Sequence, residues 1–297
     1  MSPPRWLEEL TRNAPVLLDG AWGTELQARG LPIGTLPDSW NLSHPERVED
    51  VARCYAEAGS QVILTNTFRA NRIALAAYPE CERVEDVNRA GVEISRRAAG
   101  DAARVFASIG PSGKLLMTQD VDAASLRAAF EEQARVLAEA RPDALVVETM
   151  TDLAEAEIAI RAAKQTGLPV AACMVFDSGK RKDRTMMGVT PTQAAEALTS
   201  YGADIVGANC GNGIAGYVPV CAEMSAATDR PIWIKANAGL PELVDGEARY
   251  TTTPEEFASH RDELLAAGAS FIGGCCGTSP EFIRALAGSG PSNPAGA

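Results

Sequence analysis

The chain is poor in histidine, in positive charge and in long apolar runs. Only His44 and His260 occur among its 297 residues, so chemistry that needs an imidazole base is thinly supplied, whereas thiol and carboxylate chemistry is not. Lysine and arginine total 27 against 39 acidic residues, a net charge of −12, which argues against an electrostatic grip on nucleic acid or an anionic membrane. No apolar run approaches the ~20 residues that span a bilayer. The start, MSPPRWLEELTRN, has acidic residues and no apolar stretch of a secretory leader, so a cytoplasmic protein is expected. Disulfide scaffolding is absent too: the seven cysteines are odd in number, spread along a long chain and form no CxxC. They point to buried thiols, metal ligands or reactive thiols.

What is present is a repeating unit. Hydrophobic residues make up 46% and charged residues 22%, ample for a buried core. Short runs rich in β-branched residues alternate with amphipathic helical stretches: 15–20, 60–68, 103–113, 144–150, 169–179, 204–211, 231–239 and 269–277. Thr190-Pro191, Thr253-Pro254 and Ser279-Pro280 read as an N-cap followed by proline at the first helical position, and Thr151/Asp152 opens another helix. Gly59, Gly167, Gly202 and Gly268 stand where helices end before strands. Eight such units predict a single-domain α/β fold, a (β/α)8 TIM barrel over 1–288, with a doubly wound sheet as the alternative. The last residues, 289–297, read as a disordered tail. The loops Arg29–Asn41 and Asp177–Gly188 are lid or partner-contact candidates, or plain surface loops.

In such a barrel the site lies at the C-terminal ends of the strands. Those ends carry Asp19-Gly20, Thr65, Glu148, Asn209-Cys210, Asn237 and the adjacent pair Cys275-Cys276. Neighbouring residues on a strand point to opposite faces. Cys275 and Cys276 can therefore act together only if the strand stops there and the flanking glycines turn the chain. Three thiolates with an open fourth position match a catalytic zinc rather than a closed structural one. Buried structural thiols and a redox pair are the other readings of the same residues. A three-thiolate zinc suits binding and deprotonating a fourth thiol more than activating water. Asp19 and Glu148 can hold an ammonium group at that mouth, or serve as a turn residue and a rim ion pair. Cys54, Cys81, Cys173 and Cys221 read as small core hydrophobes.

The segments LLDGAWGTELQARG, ILTNTFRAN, VVETMTDLAEAEIAI, GANCG, KANAGLP and GGCCGT resemble the homocysteine S-methyltransferase family over residues 14 to 287. That resemblance implies a (β/α)8 barrel that transfers a methyl group to L-homocysteine, giving L-methionine, with zinc held by Cys210, Cys275 and Cys276. It implies that Asp19 and Glu148 bind the homocysteine amino group and that Thr65 and the backbone around Gly20 line the amino-acid pocket. In some members an asparagine fills the fourth zinc position until the substrate thiol displaces it; here that residue is Asn237. Betaine-using members carry a tyrosine where this chain has Arg69, and they have a long C-terminal extension, so betaine is disfavoured as donor. The donors in view are S-methylmethionine, S-adenosylmethionine, a betaine-like compound or a methylcorrinoid, the last brought by a separate protein. Other readings are another thiol or selenol as acceptor, and a zinc- or redox-sensing barrel without turnover. The basic island 178–184 is read as a receiver for an anionic donor group or an acidic partner, or as a solvated loop.

Overall fold

A computed structural model describes residues 4–240, 242–244 and 247–288. The tail expected to be disordered, 289–297, lies outside the described residues. Eight parallel strands form one sheet curled into a (β/α)8 barrel: β1 (Val16–Leu17), β2 (Val62–Ile63), β3 (Arg104–Ile109), β4 (Ala144–Met150), β5 (Val170–Met174), β6 (Ile205–Gly213), β7 (Ile232–Asn237) and β10 (Ala269–Gly274). Their order around the sheet is β1-β10-β7-β6-β5-β4-β3-β2. Between β7 and β10 a small antiparallel hairpin pairs β8 (Glu242–Val244) with β9 (Glu247–Arg249). Every expected run supplies one barrel strand, and the alternating βα order is what parallel strands with crossover helices require.

The helices start and stop where the residues say they should. Thr190 Oγ1 accepts from Gln193 N at 3.0 Å while Gln193 Oε1 accepts from Thr190 N at 3.0 Å, a full capping box. Thr253 and Asp152 cap the helices Pro254–Ser259 and Leu153–Lys164 through their side chains. The Ser279 hydroxyl instead donates to Glu281 Oε2 at 2.5 Å. Gly59, Gly167, Gly202 and Gly268 all have φ between +78° and +104°, the left-handed region that closes a helix without a Cβ penalty.

The barrel has one soft joint. Strands β1 and β2 are each two residues long, and no ladder joins them. One backbone bond and three side-chain bonds complete the ring instead. Gln61 N donates to Leu17 O at 2.7 Å, and Gln61 Oε1 accepts from Leu17 N at 3.0 Å. Higher up, Ser60 Oγ donates to Leu18 O at 3.0 Å and Asp19 Oδ2 accepts from Leu64 N at 2.8 Å. Each of these bonds satisfies a backbone group that would otherwise be buried unpaired.

Two cores follow from strand alternation. Outward-facing residues such as Ile63, Leu145, Val147, Val206 and Ile234 pack under the helices. Inward-facing ones, including Val16, Leu64, Phe106, Val146, Trp233 and Phe271, fill the lower barrel. Trp233 is the hub, its ring 6.0 Å from Phe106 and 5.3 Å from Phe271, and Trp6 stacks edge-on to Phe106 below. Cys173 and Cys221 are buried as expected, but Cys54 and Cys81 are only half-buried. Helical spacing places Cys54 on the inner edge of its helix, where Arg29 Nη2 reaches it at 3.5 Å. Cys81 lies in a short 3-10 segment with no fully buried residue, packed at the edge of the small cluster of Leu36, Leu75 and Val84.

Candidate functional site

One step above the apolar layer the same strand faces turn polar. On β7, Trp233 is followed two residues on by Lys235 and then Asn237; on β4, Val146 by Glu148; on β3, Phe106 by Ser108; on β6, Asn209 occupies the matching place. These residues surround the floor of a cavity of about 370 Å³ at the C-terminal end of the barrel. Its wall includes Gly20, Thr65, Glu148, Lys235 and the three cysteines.

The thiols converge because two strands end irregularly. On β6 the register against β7 slips between Cys210 and Gly213, and Cys210 and Gly211 have φ of +63° and +55°. A left-handed pair at a bulge re-aims the side chain. For a cysteine that conformation is uncommon and costs on the order of 1 kcal/mol. On β10 the strand stops at Gly274. Cys275 N still donates to Ala236 O, at 2.6 Å, and Ala238 N to Cys276 O, at 3.0 Å. A turn then closes from Thr278 N to Cys275 O at 3.1 Å. Gly277 has φ +80°, and a Cβ there would stand 2.1 Å from the Tyr250 ring, so glycine is required twice over. The three sulfurs lie within 4.8 Å of one another.

That spacing and donor set fit a soft metal ion. A tetrahedral centre with Zn–S bonds of ~2.3 Å separates its sulfurs by ~3.8 Å. By themselves three close thiols cannot all ionise: hydrogen bonds from Cys275, then Cys276, hold the Cys210 thiol far below its ordinary pKa. The bond to Cys210 in turn pushes both Cys275 and Cys276 up. A cation at the centre removes that conflict. Asn237 Oδ1 is buried without a hydrogen-bond partner, while its Nδ2 donates to Gly211 O at 2.9 Å. An oxygen so left beside Cys210 is the kind of atom a fourth ligand site uses.

The carboxylates divide. Glu148 borders the cavity, its Oε1 accepting from Ser108 Oγ at 2.5 Å and its Oε2 from Asn209 Nδ2 at 3.1 Å. Burial raises its pKa to about 7, against the pull of Lys235 and the Ser108 hydroxyl. Asp19 is fully buried. Its Oδ2 accepts from Trp22 Nε1 and Leu64 N, both at 2.8 Å, and Lys235 Nζ stands 3.1 Å from Oδ1. That last contact is an ion pair without hydrogen-bond alignment, since Oδ1 has no aligned donor. Burial opposes the Lys235 ammonium, but Asp19, Cys275 and Glu148 together outweigh it and its pKa lies above the ordinary value. Thr65 spends its hydroxyl on Ser108 N at 3.0 Å and Thr67 Oγ1 at 2.6 Å, and Gly20 gives its carbonyl to Lys235 Nζ at 2.8 Å.

Three residues go beyond the sequence expectations: Lys235 and Asp38 line the cavity, and Tyr250 contacts Cys276 from outside the lining. Lys235 was detectable: it shares the inward face of β7 with Asn237. Tyr250 hydrogen-bonds to Cys276, and burial, then the nearby thiols, raise its pKa; it sits in a loop with no period. Asp38, on the loop 29–41, also lines the cavity. It is buried, its pKa is raised to about 7 by that burial, and its Oδ1 accepts from Arg69 N at 2.9 Å. The loop is thus pocket wall at this point. In the basic island, Arg181 and Arg184 both pair with Asp183, and none of its residues lines the cavity.

Residues 16–289 match the homocysteine S-methyltransferase family. The chain is 32% identical over 288 residues to methionine synthase of Mycobacterium tuberculosis, covering 91% of this chain but 24% of that protein. It therefore spans about a quarter of the length of the methionine synthases it matches. It is 29% identical to betaine–homocysteine S-methyltransferase 1 of Danio rerio, with 95% of this chain and 74% of that one covered. In fold it resembles the metallated form of the Escherichia coli homocysteine methyltransferase MmuM: TM-score 0.79, 24% identity, covering 96% of this chain and 99% of that one. Among the described residues no helix is long and apolar enough to cross a membrane. By its sequence match along nearly the whole barrel, the chain belongs to the homocysteine S-methyltransferase family.

Proposed function

We propose that this chain is a zinc-dependent thiol S-methyltransferase that forms L-methionine from L-homocysteine. The observation that carries the reading is the convergence of Cys210, Cys275 and Cys276 within 4.8 Å at the floor of a cavity that Glu148 also lines. Zinc held by those thiolates, with Asn237 as an oxygen donor to the fourth position, would supply one thing: it makes the acceptor thiol ionise at neutral pH, where a free thiol of pKa about 8.5 is mostly protonated. Family membership and the relatives' printed activities support the same acceptor.

The chain's own residues do the rest. Glu148, when ionised, holds the acceptor's ammonium group and fixes its sulfur relative to the cysteines. Trp22 and Phe68 on the cavity wall narrow the mouth and exclude water from the reacting atoms. The acceptor sulfur, having lost its proton to solvent, attacks the methyl carbon of the donor; the new S–C bond forms as the donor–methyl bond breaks, and the donor departs with that electron pair. S-methylmethionine, S-adenosylmethionine, a betaine-like compound and a separate methylcorrinoid protein are the donor candidates. Arg69, exposed at the cavity with its guanidinium 5.7 Å from the Tyr78 ring, stands where an aromatic would favour a quaternary ammonium, which counts against betaine.

The deciding experiment assays zinc-loaded protein with homocysteine against those four donors in parallel. Methionine formed from one of them is the expected result. A protein that binds zinc through the three cysteines yet methylates no thiol would be the sensor instead.

A further inference from the structure

We infer that Lys235 is a specificity-determining residue that receives the carboxylate of the acceptor amino acid; this rests on the S-methyltransferase reading of the cavity. Of the carboxylates near the mouth, Glu148 and Asp38 line the cavity, Asp38 with one oxygen already accepting from Arg69 N, whereas Asp19 does not line it. Asp19 is fully buried, with one oxygen held by Trp22 Nε1 and Leu64 N and the other facing Lys235 Nζ at 3.1 Å. It is the counter-ion of Lys235 rather than a free receptor for a substrate ammonium.

Lys235 is itself a cavity residue, 2% exposed. An ammonium has three donors and no acceptor. Gly20 O takes one at 2.8 Å, and Asp19 Oδ1 pairs with the charge at 3.1 Å without an aligned N–H. Donor capacity is left for a group that bears negative charge and can enter the cavity. The wall already holds Glu148 and the thiol cluster, so an unpaired substrate carboxylate would be buried among like charges at a prohibitive cost. A cation at Lys235 removes that cost. The wall then offers three different partners: a metal site at the three cysteines for the thiol, a carboxylate at Glu148 and an ammonium at Lys235. An α-amino acid with a side-chain thiol carries the complement of all three, whereas a plain thiol or an aminothiol does not.

The test measures binding and turnover of three thiols by the zinc-loaded chain: homocysteine, 3-aminopropanethiol, which lacks the carboxylate, and 4-mercaptobutyrate, which lacks the ammonium. Binding is read by calorimetry and turnover by methyl transfer from whichever donor works. The wild type is expected to bind homocysteine at least roughly tenfold more tightly than 3-aminopropanethiol, the size of one charged hydrogen bond. In Lys235→Met that gap should fall to within about twofold, while the preference over 4-mercaptobutyrate, set by Glu148, persists. Lys235→Arg, which keeps the charge, should retain part of the gap and guards against a variant that merely fails to fold. Equal binding of homocysteine and 3-aminopropanethiol by the wild type overturns the inference, as does a tenfold gap that survives in Lys235→Met. A binding gap without methyl transfer would instead overturn the enzymatic reading and leave Lys235 as a carboxylate receptor.

Discussion

The lower and upper halves of the barrel interior are built on the same strands and the same face, two residues apart, yet they are opposite materials. Below, Trp233, Phe106 and Phe271 make a dry layer of stacked rings. Above lies a charged floor: Ser108 and Asn209 donate to Glu148 at 2.5 and 3.1 Å, and Lys235 donates to Gly20 O at 2.8 Å. The lower layer needs only apolar volume, so many residues would serve. In the upper layer each polar group needs a specific partner, and the geometry departs from regular strand at Thr149, Cys210 and Gly277, all with positive φ. Stability is concentrated in the first and chemistry in the second.

The sharpest way to break that division is Cys210→Ala. Metal content should fall to background together with methyl transfer, while the unfolding midpoint of metal-free protein barely moves; retained activity in a chelated sample would refute the assignment. The reverse experiment comes next. Trp233→Ala empties the hub of the lower layer and should cost about 3–5 kcal/mol in denaturant unfolding, with metal stoichiometry per folded molecule unchanged.

A third measurement uses pH to separate the two halves. Burial raises the Glu148 pKa from 4.5 to about 7. A folded-state pKa raised above the unfolded one contributes stability that is complete below about pH 4.5 and is lost as pH rises through about 7, on the order of 3 kcal/mol. Binding runs the other way, because an ammonium needs the ionised carboxylate. KM for homocysteine should therefore fall between pH 6 and 8 while the chain loses stability. Glu148→Gln should flatten its share of both trends; a KM that keeps its full pH dependence in that variant would remove Glu148 from acceptor binding. The smallest effect is expected at Gln61→Leu, which leaves Leu17 N without its side-chain acceptor. A loss of about 1–2 kcal/mol with unchanged kcat would place Gln61 on the structural side.

Much of this was legible from residue order. The βα period gives the barrel, and Thr-Pro and glycine punctuation locates the helix ends because capping is local chemistry. Strand ends read as one mouth, and that alone groups Cys210, Cys275 and Cys276. What could not be read depends on contacts far apart in the chain. Nothing local says that Asp19 pairs with Lys235, since that contact spans 216 positions of sequence between two strands on either side of β10. Tyr250 over Gly277 is hidden for the same reason. Cys54 and Cys81 are half-buried where the pattern predicts core, because periodicity assigns a face and not a depth.

The joint between β1 and β2 has a consequence for how the barrel moves. A ring held by strand ladders on seven sides is weakest at the eighth, where one backbone hydrogen bond and three side-chain bonds stand in for strand pairing. Asp19 belongs to that eighth side and also to the ion pair beneath the cavity. Any opening of that side would take Asp19 away from Lys235, and an acceptor seated on Lys235 would act as a clasp across the gap.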